Sequence, residues 1–316
     1  MNNYDVLVVG GGAAGLSAAL VLSRARRRVA VVDAGEPRNA QAAHMHGFLG
    51  WDGAPPATLL KRGRDGVTSY GGELLAGTVT DIRPVTTGES AGPRFAVSLA
   101  DGQVLTTRRV LVTTGLRDEI PDIPGVAERW GRDLLHCPYC HGYEVRDQPV
   151  GVLGGTPEAV AHALLVRHWT DDVVYFDHTS ELSAAERERL VARVIGVVDG
   201  PVARLVVADD RLTGVELESG QVVPRTAVVV RPAFLASSDL LVGLGCATHE
   251  NGWVVPDSVG QTSVTGVFVA RNAVNPRAQV VTAAGEGSAA AIAINNDLVE
   301  EATVHALTEY RKGLAA

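Results

Sequence analysis

Residues 4–15 have the sequence Tyr-Asp-Val-Leu-Val-Val-Gly-Gly-Gly-Ala-Ala-Gly. The apolar run predicts a buried strand, and the glycines predict a tight turn into a helix. In the pattern Gly10-x-Gly12-x-x-Gly15, the first glycine permits the turn and the second lets the backbone approach a pyrophosphate. The third lets the helix pack closely against the strand. The pattern therefore favours a dinucleotide site over the alternative, a glycine-rich structural turn.

The residues that follow strengthen this interpretation. An Ala- and Leu-rich segment continues to about Arg24 and predicts the helix, whose first N–H groups would face the phosphates. A second predicted strand over residues 28–32 ends at Asp33, where a carboxylate would bind a ribose hydroxyl. Strand, glycine turn, helix, strand and acid in this order predict one dinucleotide-binding βαβ unit.

A second copy of the same plan begins at residue 150. A predicted strand leads into the turn Gly154-Gly155-Thr156, and a strand over residues 173–176 ends at Asp177. The distance from Gly154 to Asp177 is 23 residues, the same as from the first glycine to the first acid. The chain is therefore predicted to fold as α/β, with two Rossmann-like, doubly wound, three-layer nucleotide-binding domains.

The second turn departs from the nucleotide-binding pattern. Thr156 stands at the middle glycine position, where its Cβ would crowd a pyrophosphate, and Thr156-Pro157 instead predicts an ordinary helix start. The residues directly after Asp177, His178-Thr179-Ser180, include no arginine to pair with a 2′-phosphate, so NADPH is disfavoured. NADH stays open, because Asp177 could bind a ribose hydroxyl, and so does the alternative of a structural relic.

Composition limits the classes of function. At roughly 150 residues per domain, 316 residues predict two domains. The net charge of −8 argues against nucleic acid as a partner. The sequence contains no run of 18 apolar residues, which a membrane-spanning helix would require. Because no basic, apolar leader segment is present, we expect a cytoplasmic protein.

The stretch His136-Cys137-Pro-Tyr-Cys140-His141 carries the most chemical information. Two thiols at this spacing can close a small disulfide and reopen it. Flanking histidines could lower a thiol pKa or accept its proton. We therefore predict a redox-active pair, with Cys137, Cys140, His136 and His141 as catalytic residues.

Two other interpretations fit the same letters. Cys-x-x-Cys-His is the attachment pattern of c-type haem, which is normally attached outside the cytoplasm. The pair could also form a zinc site with Cys246 and His249, but this requires two distant segments to converge. We expect no metal, and we expect Cys246 to be a buried, small apolar residue.

The chain resembles the low-molecular-weight thioredoxin reductase family over nearly its whole length. The resemblance implies bound FAD, a homodimer, and an inserted rather than appended second domain. The flavin domain would comprise residues 1–117 plus 235–316, and residues 118–234 would form a degenerate NAD(P)-binding-like domain carrying the cysteine pair. The motifs that carry the resemblance are Gly10–Gly15, Thr113-Thr-Gly115, Pro121–Gly125, Cys137–Cys140, the second glycine turn, and segments 265–270 and 279–287.

The resemblance also implies the positions that contact the flavin. Most follow the ends of predicted strands or begin the last predicted helix, which runs from about Gln279 to Leu298. The expected contacts are Gly10, Gly12, Ala13, Ala14, Gly15, Asp33, Ala34, Arg38, Asn39, His46, Val79, Thr114, Gly115, Asn272, Gln279 and Val280.

Three departures from the thioredoxin reductase pattern narrow the resemblance. The acid after the second cysteine is His141, the basic pair that grips NADPH is His178-Thr179, and the Gly-Asp before the last helix is Arg271-Asn272. These changes resemble a branch of FAD-dependent dithiol oxidases, the gliotoxin and holomycin types of antibiotic biosynthesis.

The resemblance implies a reaction and its partners. A small-molecule dithiol would be oxidised to an intramolecular disulfide, and O₂ would accept the electrons and give H₂O₂. Cys137 would exchange with the substrate, Cys140 would lie nearer the flavin, and His136 or His141 would deprotonate thiols. The alternatives are a disulfide reductase that uses NADH, ferredoxin or another donor, and a redox-sensing flavoprotein.

Overall fold

The computed structural model describes residues 3–85, 92–270 and 277–315. The chain divides into two compact units, each built around its own sheet. The first unit comprises residues 1–40, 54–117 and 235–316, and the second comprises residues 41–53 and 118–234. Within the described residues, no helix combines the length and apolar character needed to cross a bilayer.

The first unit is a three-layer α/β structure. Its seven-stranded sheet has the order β3-β2-β1-β6-β5-β4, with β17 also paired to β6. Strands β3, β2, β1, β6 and β17 are parallel, whereas β4 and β5 extend the sheet as an antiparallel meander. The elements are β1 Asn3–Val9, α1 Ala13–Arg24, β2 Val29–Asp33, α2 Pro56–Ser69, β3 Glu73–Ala76, β4 Val79–Pro84, β5 Phe95–Leu99, β6 Val104–Val112, α7 Asp239–Gly243, β17 Val267–Val269 and α8 Val280–Ala315.

The parallel strands of the first unit end level with one another. Val9 is in register with Val32 on one side and with Val112 on the other, and Val112 is in register with Val269. These four residues close β1, β2, β6 and β17 near the carboxyl edge of the sheet. Ligands of open α/β sheets bind at this edge.

Helix α8 crosses helix α1 at a point where both backbones nearly touch. A Cβ placed on Gly287 would overlap the Ala14 carbonyl oxygen. Buried Arg109 on β6 pairs with Asp297 and, at 2.7 Å, with Glu301, which fixes the helix against the sheet. The helix continues to Ala315, beyond the predicted end near Leu298. The predicted end falls short because the last part of the helix is exposed and lacks the apolar periodicity that marks the packed part.

The second unit repeats the plan on a smaller scale. Its five-stranded parallel sheet has the order β11-β10-β9-β15-β8, and three further strands form an antiparallel sheet in the order β12-β13-β14. The predicted pair of Rossmann-like domains is therefore confirmed. The elements are α3 Val126–Arg129, β8 Leu134–Leu135, α4 Pro138–His141, β9 Val150–Leu153, α5 Ala159–Val166, β10 Val173–Phe176, α6 Ala184–Ala192, β11 Gly196–Val198, β12 Val202–Ala208, β13 Arg211–Leu217, β14 Val222–Pro224 and β15 Ala227–Val230. Strands β7 (Leu116–Glu119) and β16 (Ala233–Ala236) pair where the chain passes between units.

The structure differs from the expected domain boundaries at residues 41–53. Sequence analysis places this segment in the flavin domain, but it packs with the second unit. A Cβ placed on Gly131 would lie 3.2 Å from the Gln41 Cβ, and His46 lies 3.3 Å from the Glu144 carboxylate. Long-range contacts of this kind leave no local pattern in the sequence.

The crossing of α1 and α8 predicts opposite effects for two glycines of one helix. Gly287→Ala should lower the free energy of unfolding by about 3 kcal/mol, because its methyl group overlaps backbone that cannot retreat. Gly285→Ala is the matched control, since a Cβ there meets no atom within 4 Å, and it should raise stability by up to about 1 kcal/mol. Denaturant unfolding followed by circular dichroism measures both, and equal midpoints for the two variants would refute the close crossing.

Candidate active site

The turn after β1 holds its glycines for two separate steric reasons. Gly10 has a φ of +104°, which disfavours other residues. A Cβ on Gly15 would overlap the Gly10 carbonyl oxygen, so only glycine lets α1 approach the strand here. The Thr113 hydroxyl donates to the carbonyls of Val9 and Gly10, each at 2.9 Å, and locks the turn from the neighbouring strand.

The surroundings of Gly12 differ from those of Gly10 and Gly15. Within the part of the chain that the structure describes, a Cβ placed on Gly12 would meet no atom within 4 Å, so the space beside it is open. No side chain caps the first turn of α1, which leaves the helix N–H groups directed to the same region. The cradle therefore fits a phosphate-bearing ligand, because backbone donors surround a space that a side chain would fill.

Asp33 lies at the end of β2, beside the same turn. Its carboxylate accepts a hydrogen bond from the Gly11 N–H at 3.1 Å. A Cβ on Gly11 would lie 2.6 Å from the Asp33 Cγ, so glycine at position 11 is what allows the acid to reach the turn. This geometry places the acid where a ribose hydroxyl would follow the phosphates.

The other expected flavin contacts fall into several environments. Val79 is buried in the core, and His46 belongs to the second unit. Asn272 lies outside the residues that the structure describes. The remaining expected contacts follow the ends of parallel strands or lie at the start of α8. They are Ala13, Ala14, Ala34, Arg38, Asn39, Thr114, Gly115, Gln279 and Val280.

Cys137 and Cys140 form a disulfide in the second unit. Cys137 directly precedes the one-turn helix α4, and Cys140 lies within it. Pro138 is the first residue of this helix. The N–H groups of Cys140 and His141 donate to the Cys137 carbonyl at 3.0 and 3.1 Å, so the turn holds both sulfur atoms together. Both cysteines are only partly buried, and Tyr139 between them is 65% exposed.

The two histidines beside the pair have unlike surroundings, which the sequence did not reveal. The His136 ring stacks on Trp130 with ring centres 6.2 Å apart and meets the Phe234 ring edge-on at 5.6 Å. Aromatic packing on two sides holds this ring in place. Buried His162 makes a hydrogen bond to the His136 backbone, and burial lowers the pKa of His162 to about 4.

His141 occupies a partly buried position at the end of α4. Burial lowers the pKa of its imidazole, the nearby Glu144 carboxylate acts in the opposite direction, and His46 adds to the lowering. A neutral imidazole is the form that can accept a proton from a thiol. His141 is therefore the flanking histidine that is suited to act as a base.

The second glycine turn uses its own polar groups internally. The Gly155 N–H donates to the Ser180 hydroxyl at 2.6 Å, and the Asp177 carboxylate accepts from the Gly200 N–H at 2.8 Å. His178 accepts from the Val202 N–H at 3.0 Å through Nδ1. The groups that would hold the phosphates and ribose of a nicotinamide cofactor thus have partners within the unit.

The start of the following helix differs from the prediction. Helix α5 begins at Ala159 without a side-chain cap, so Thr156 is not its N-cap. The Thr156 carbonyl instead accepts from the Ala159 N–H at 3.1 Å, which makes residues 156–159 a separate turn.

Burial, reinforced by the carboxylate of Asp199, raises the pKa of Asp177, although the Gly200 N–H opposes the shift.

Cys246 is a buried core residue of the first unit, as predicted. Its thiol donates to the Thr262 hydroxyl at 3.4 Å, and burial raises its pKa. A raised thiol pKa disfavours the thiolate that zinc would bind. Among the described residues, no group of three or more potential ligands is arranged to hold a metal ion.

The open space at Gly12 predicts a ligand-specific effect. Gly12→Val should leave folding intact, because the added Cβ meets no atom of the described residues within 4 Å, but it should yield protein with little or no flavin. Gly243→Val is the control, since that position is also open but lies on α7. Visible absorption of the purified variants, compared at equal thermal stability, measures the flavin. A fully yellow Gly12→Val protein would contradict the assignment of the cradle.

Comparison with known proteins agrees with the α/β fold described above. The family model described as pyridine nucleotide-disulphide oxidoreductase matches residues 4–287. The crystal structure of HlmI is 55% identical, covers 99% of this chain and 98% of its own, and superposes with a TM-score of 0.95. The putative thioredoxin reductase TrxB of Bacillus anthracis is 33% identical over 94% of this chain and 99% of its own, with a TM-score of 0.89. The thioredoxin reductase sirT of Leptosphaeria maculans is 32% identical over 92% of this chain and 93% of its own. The chain thus belongs to the pyridine nucleotide-disulphide oxidoreductases, a family that implies a bound flavin.

Proposed function

We propose that this protein is an FAD-dependent dithiol oxidase that closes an intramolecular disulfide in a small molecule, with O₂ as the electron acceptor. The observation that carries the proposal is the Cys137–Cys140 disulfide with His141, a base of lowered pKa, beside it. The internal pairing of the second glycine turn supports the same direction, because it engages the Gly155 N–H and one oxygen of the Asp177 carboxylate, two groups that a nicotinamide donor would use.

The cysteine pair performs the exchange in two attacks. A substrate thiolate attacks Cys137 Sγ, which breaks the disulfide and releases Cys140 as a thiolate. The second substrate thiolate then attacks the substrate sulfur of the mixed disulfide, closes the product ring and releases Cys137. Two electrons and two protons leave the substrate, and the electrons reside on the reduced pair. Overall, one dithiol and one O₂ give one disulfide and one H₂O₂.

His141 removes the substrate protons in this scheme. The thiolate, not the thiol, is the attacking nucleophile, so a base beside the pair accelerates both attacks. His136 is assigned a supporting role, because its ring is packed between Trp130 and Phe234.

The first unit supplies the flavin site in this proposal. FAD, when bound there, would supply a two-electron acceptor for the reduced cysteine pair that O₂ could reoxidise. The Gly12 region would hold the pyrophosphate and Asp33 a ribose hydroxyl, since these are the backbone donors and the acid at the carboxyl edge. We further propose a homodimer, as the resemblance to thioredoxin reductases implies.

The alternative function is disulfide reduction with NADH, ferredoxin or another donor. The family name, which refers to pyridine nucleotides, favours this alternative. The two functions require opposite proton flow, since reduction must protonate a leaving thiolate whereas oxidation must remove thiol protons. His141, where thioredoxin reductases carry an acid, favours oxidation.

The proposal predicts peroxide formation from a dithiol in air without any added cofactor. Wild-type protein mixed with dithiothreitol should form H₂O₂, whereas Cys137→Ser and Cys140→Ser should each lose turnover. Cys246→Ser is the matched control and should retain it, because that thiol lies in the core of the first unit. A peroxidase-coupled assay measures the product.

The same preparation separates the alternatives. If no dithiol yields peroxide, yet NADH or another donor drives reduction of a disulfide, the oxidase proposal fails and the reductase replaces it. Turnover that survives in either cysteine variant would remove the pair from the mechanism.

The assignment of His141 predicts a pH dependence. The active form is the neutral imidazole, so the rate should rise with pH through the pKa of His141. Because burial lowers that pKa from its ordinary 6.5, the midpoint should lie below 6.5. His141→Asp should slow the anaerobic reaction with dithiothreitol by about 100-fold and remove this step from the profile, without changing flavin content. A step that survives in His141→Asp but disappears in His136→Asn would transfer the role to His136.

A further inference from the structure

Tyr139 lies between the two cysteines and is 65% exposed. In the part of the chain that the structure describes, four aromatic side chains are at least half exposed, and two of them, Tyr139 and Tyr143, lie in or just after helix α4. Aromatic side chains provide large, rigid contact surfaces for ligands. The disulfide therefore lies beside an aromatic patch, on the part of the surface that a substrate must reach.

The Tyr139 ring is held in place by Trp169. The two rings are perpendicular, with an interplanar angle of 87° and centres 5.6 Å apart. The Trp169 N–H donates to the Val166 carbonyl at 2.9 Å, and the Trp169 carbonyl accepts from the Asp147 N–H at 3.0 Å. The His168 ring packs edge-on with the indole at 5.5 Å. Tyr139 is thus exposed on a support that is itself fixed.

Trp169 also contacts the redox helix. A Cβ placed on Gly142, at the end of α4, would lie 2.9 Å from the indole Cδ2, so a side chain there would collide with the indole. Trp169, Cys137 and Pro138 line one small apolar cavity. The indole therefore joins the Tyr139 ring to the cysteine that exchanges with the substrate in the proposed function.

At least one face of the Tyr139 ring is open to a ligand. A perpendicular contact occupies at most one of the two faces of a ring, and the side chain is mostly exposed. Tyr143 provides the contrast, because it is equally exposed but the Arg146 guanidinium lies over its face, 3.9 Å from the ring centre. The Arg146 Nη1 donates to the Tyr143 carbonyl at 2.7 Å, which holds the cation there. Of the two rings, Tyr139 therefore offers the less obstructed face.

The exchange reaction brings the substrate to this face. A thiolate that bonds to Cys137 Sγ places its own carbon skeleton beside the residues next to Cys137, of which Tyr139 is the exposed aromatic one. A flat, unsaturated ring can stack on a tyrosine face, whereas a puckered, saturated ring makes fewer contacts with it. A rigid ring also keeps the second thiol close to the first, which the second attack requires.

We propose that Tyr139 is a specificity-determining residue whose open face stacks on a flat, unsaturated ring that carries both thiols of the substrate. Because the support of Tyr139 is fixed before binding, little ordering accompanies the contact. The tyrosine exchanges no electron or proton, so the balance is that of the proposed dithiol oxidation. This inference rests on the proposed function and names the class of its substrate.

Two dithiols that differ in the flatness of their ring test the inference. They are ortho-bis(mercaptomethyl)benzene and trans-bis(mercaptomethyl)cyclohexane with its arms on neighbouring carbons, and both close a disulfide ring of the same size. Flavin bleaching after anaerobic mixing gives the rate constant at limiting dithiol. Division by the uncatalysed rate with oxidised glutathione corrects for the reactivity of the thiols. Wild type should prefer the benzene compound by about tenfold.

Variants of the two tyrosines assign this preference to one ring. Tyr139→Leu should remove most of the preference, because leucine supplies bulk without a flat face, whereas Tyr139→Phe should keep it. Tyr143→Leu is the matched control and should keep the wild-type preference, since Arg146 already covers that ring.

The outcomes distinguish this inference from the proposed function. A wild type without preference, or a preference that survives in Tyr139→Leu, would overturn the role of Tyr139 while the oxidase function stands. Equal losses in Tyr139→Leu and Tyr143→Leu, or a loss in Tyr139→Phe, would also overturn stacking on this ring. If neither compound nor dithiothreitol bleaches the wild-type flavin, the proposed function fails, and this inference with it.

Discussion

Helix α1 is confined by backbone on two sides, and the first unit depends on that confinement. Gly15 brings the helix against the Gly10 carbonyl, and Gly287 of α8 brings the second helix against the Ala14 carbonyl. Neither contact leaves room for a side chain, so the distance of both helices from the sheet is fixed. The result is a rigid edge at which the uncapped N-terminus of α1 and the open space at Gly12 face the same region. The capacity to hold a dinucleotide thus arises from the absence of side chains.

The second unit has the same order of strand, glycine turn, helix and strand, but its edge is filled by its own groups. Ser180 accepts the N–H of Gly155, and Asp177 accepts the N–H of Gly200. Each of these hydrogen bonds contributes about 1 kcal/mol to stability, so the turn is held by its own side chains. The same unit carries the cysteine turn. Fold and function separate here, because one architecture carries a ligand site in one copy and a redox pair in the other.

The elements that sequence predicts well are those that local pattern determines. Apolar runs and glycine spacing placed β1, α1, β2 and the second βαβ unit, because burial between two helical layers requires continuous apolar strands. The packing of residues 41–53 with the second unit depends on contacts such as His46 with Glu144, almost 100 residues apart, and no local signal marks it. His136 and His141 are equivalent by spacing, since each adjoins a cysteine. Only the tertiary packing of Trp130 and Phe234 around His136 and the burial of His141 distinguish them.

The direction of thiol chemistry depends on where protons can go. The electron pair moves through sulfur in either direction by the same exchange steps, so the cysteine pair alone selects neither oxidation nor reduction. A buried imidazole favours its neutral form and therefore accepts thiol protons, whereas a carboxylate beside it limits how far its pKa can fall. Of these effects burial is the larger, so the pKa of His141 lies below its ordinary value. In the proposed function, the neutral imidazole after Cys140 would accept the thiol protons that disulfide formation releases, a role that an acid already protonated at this position could not perform.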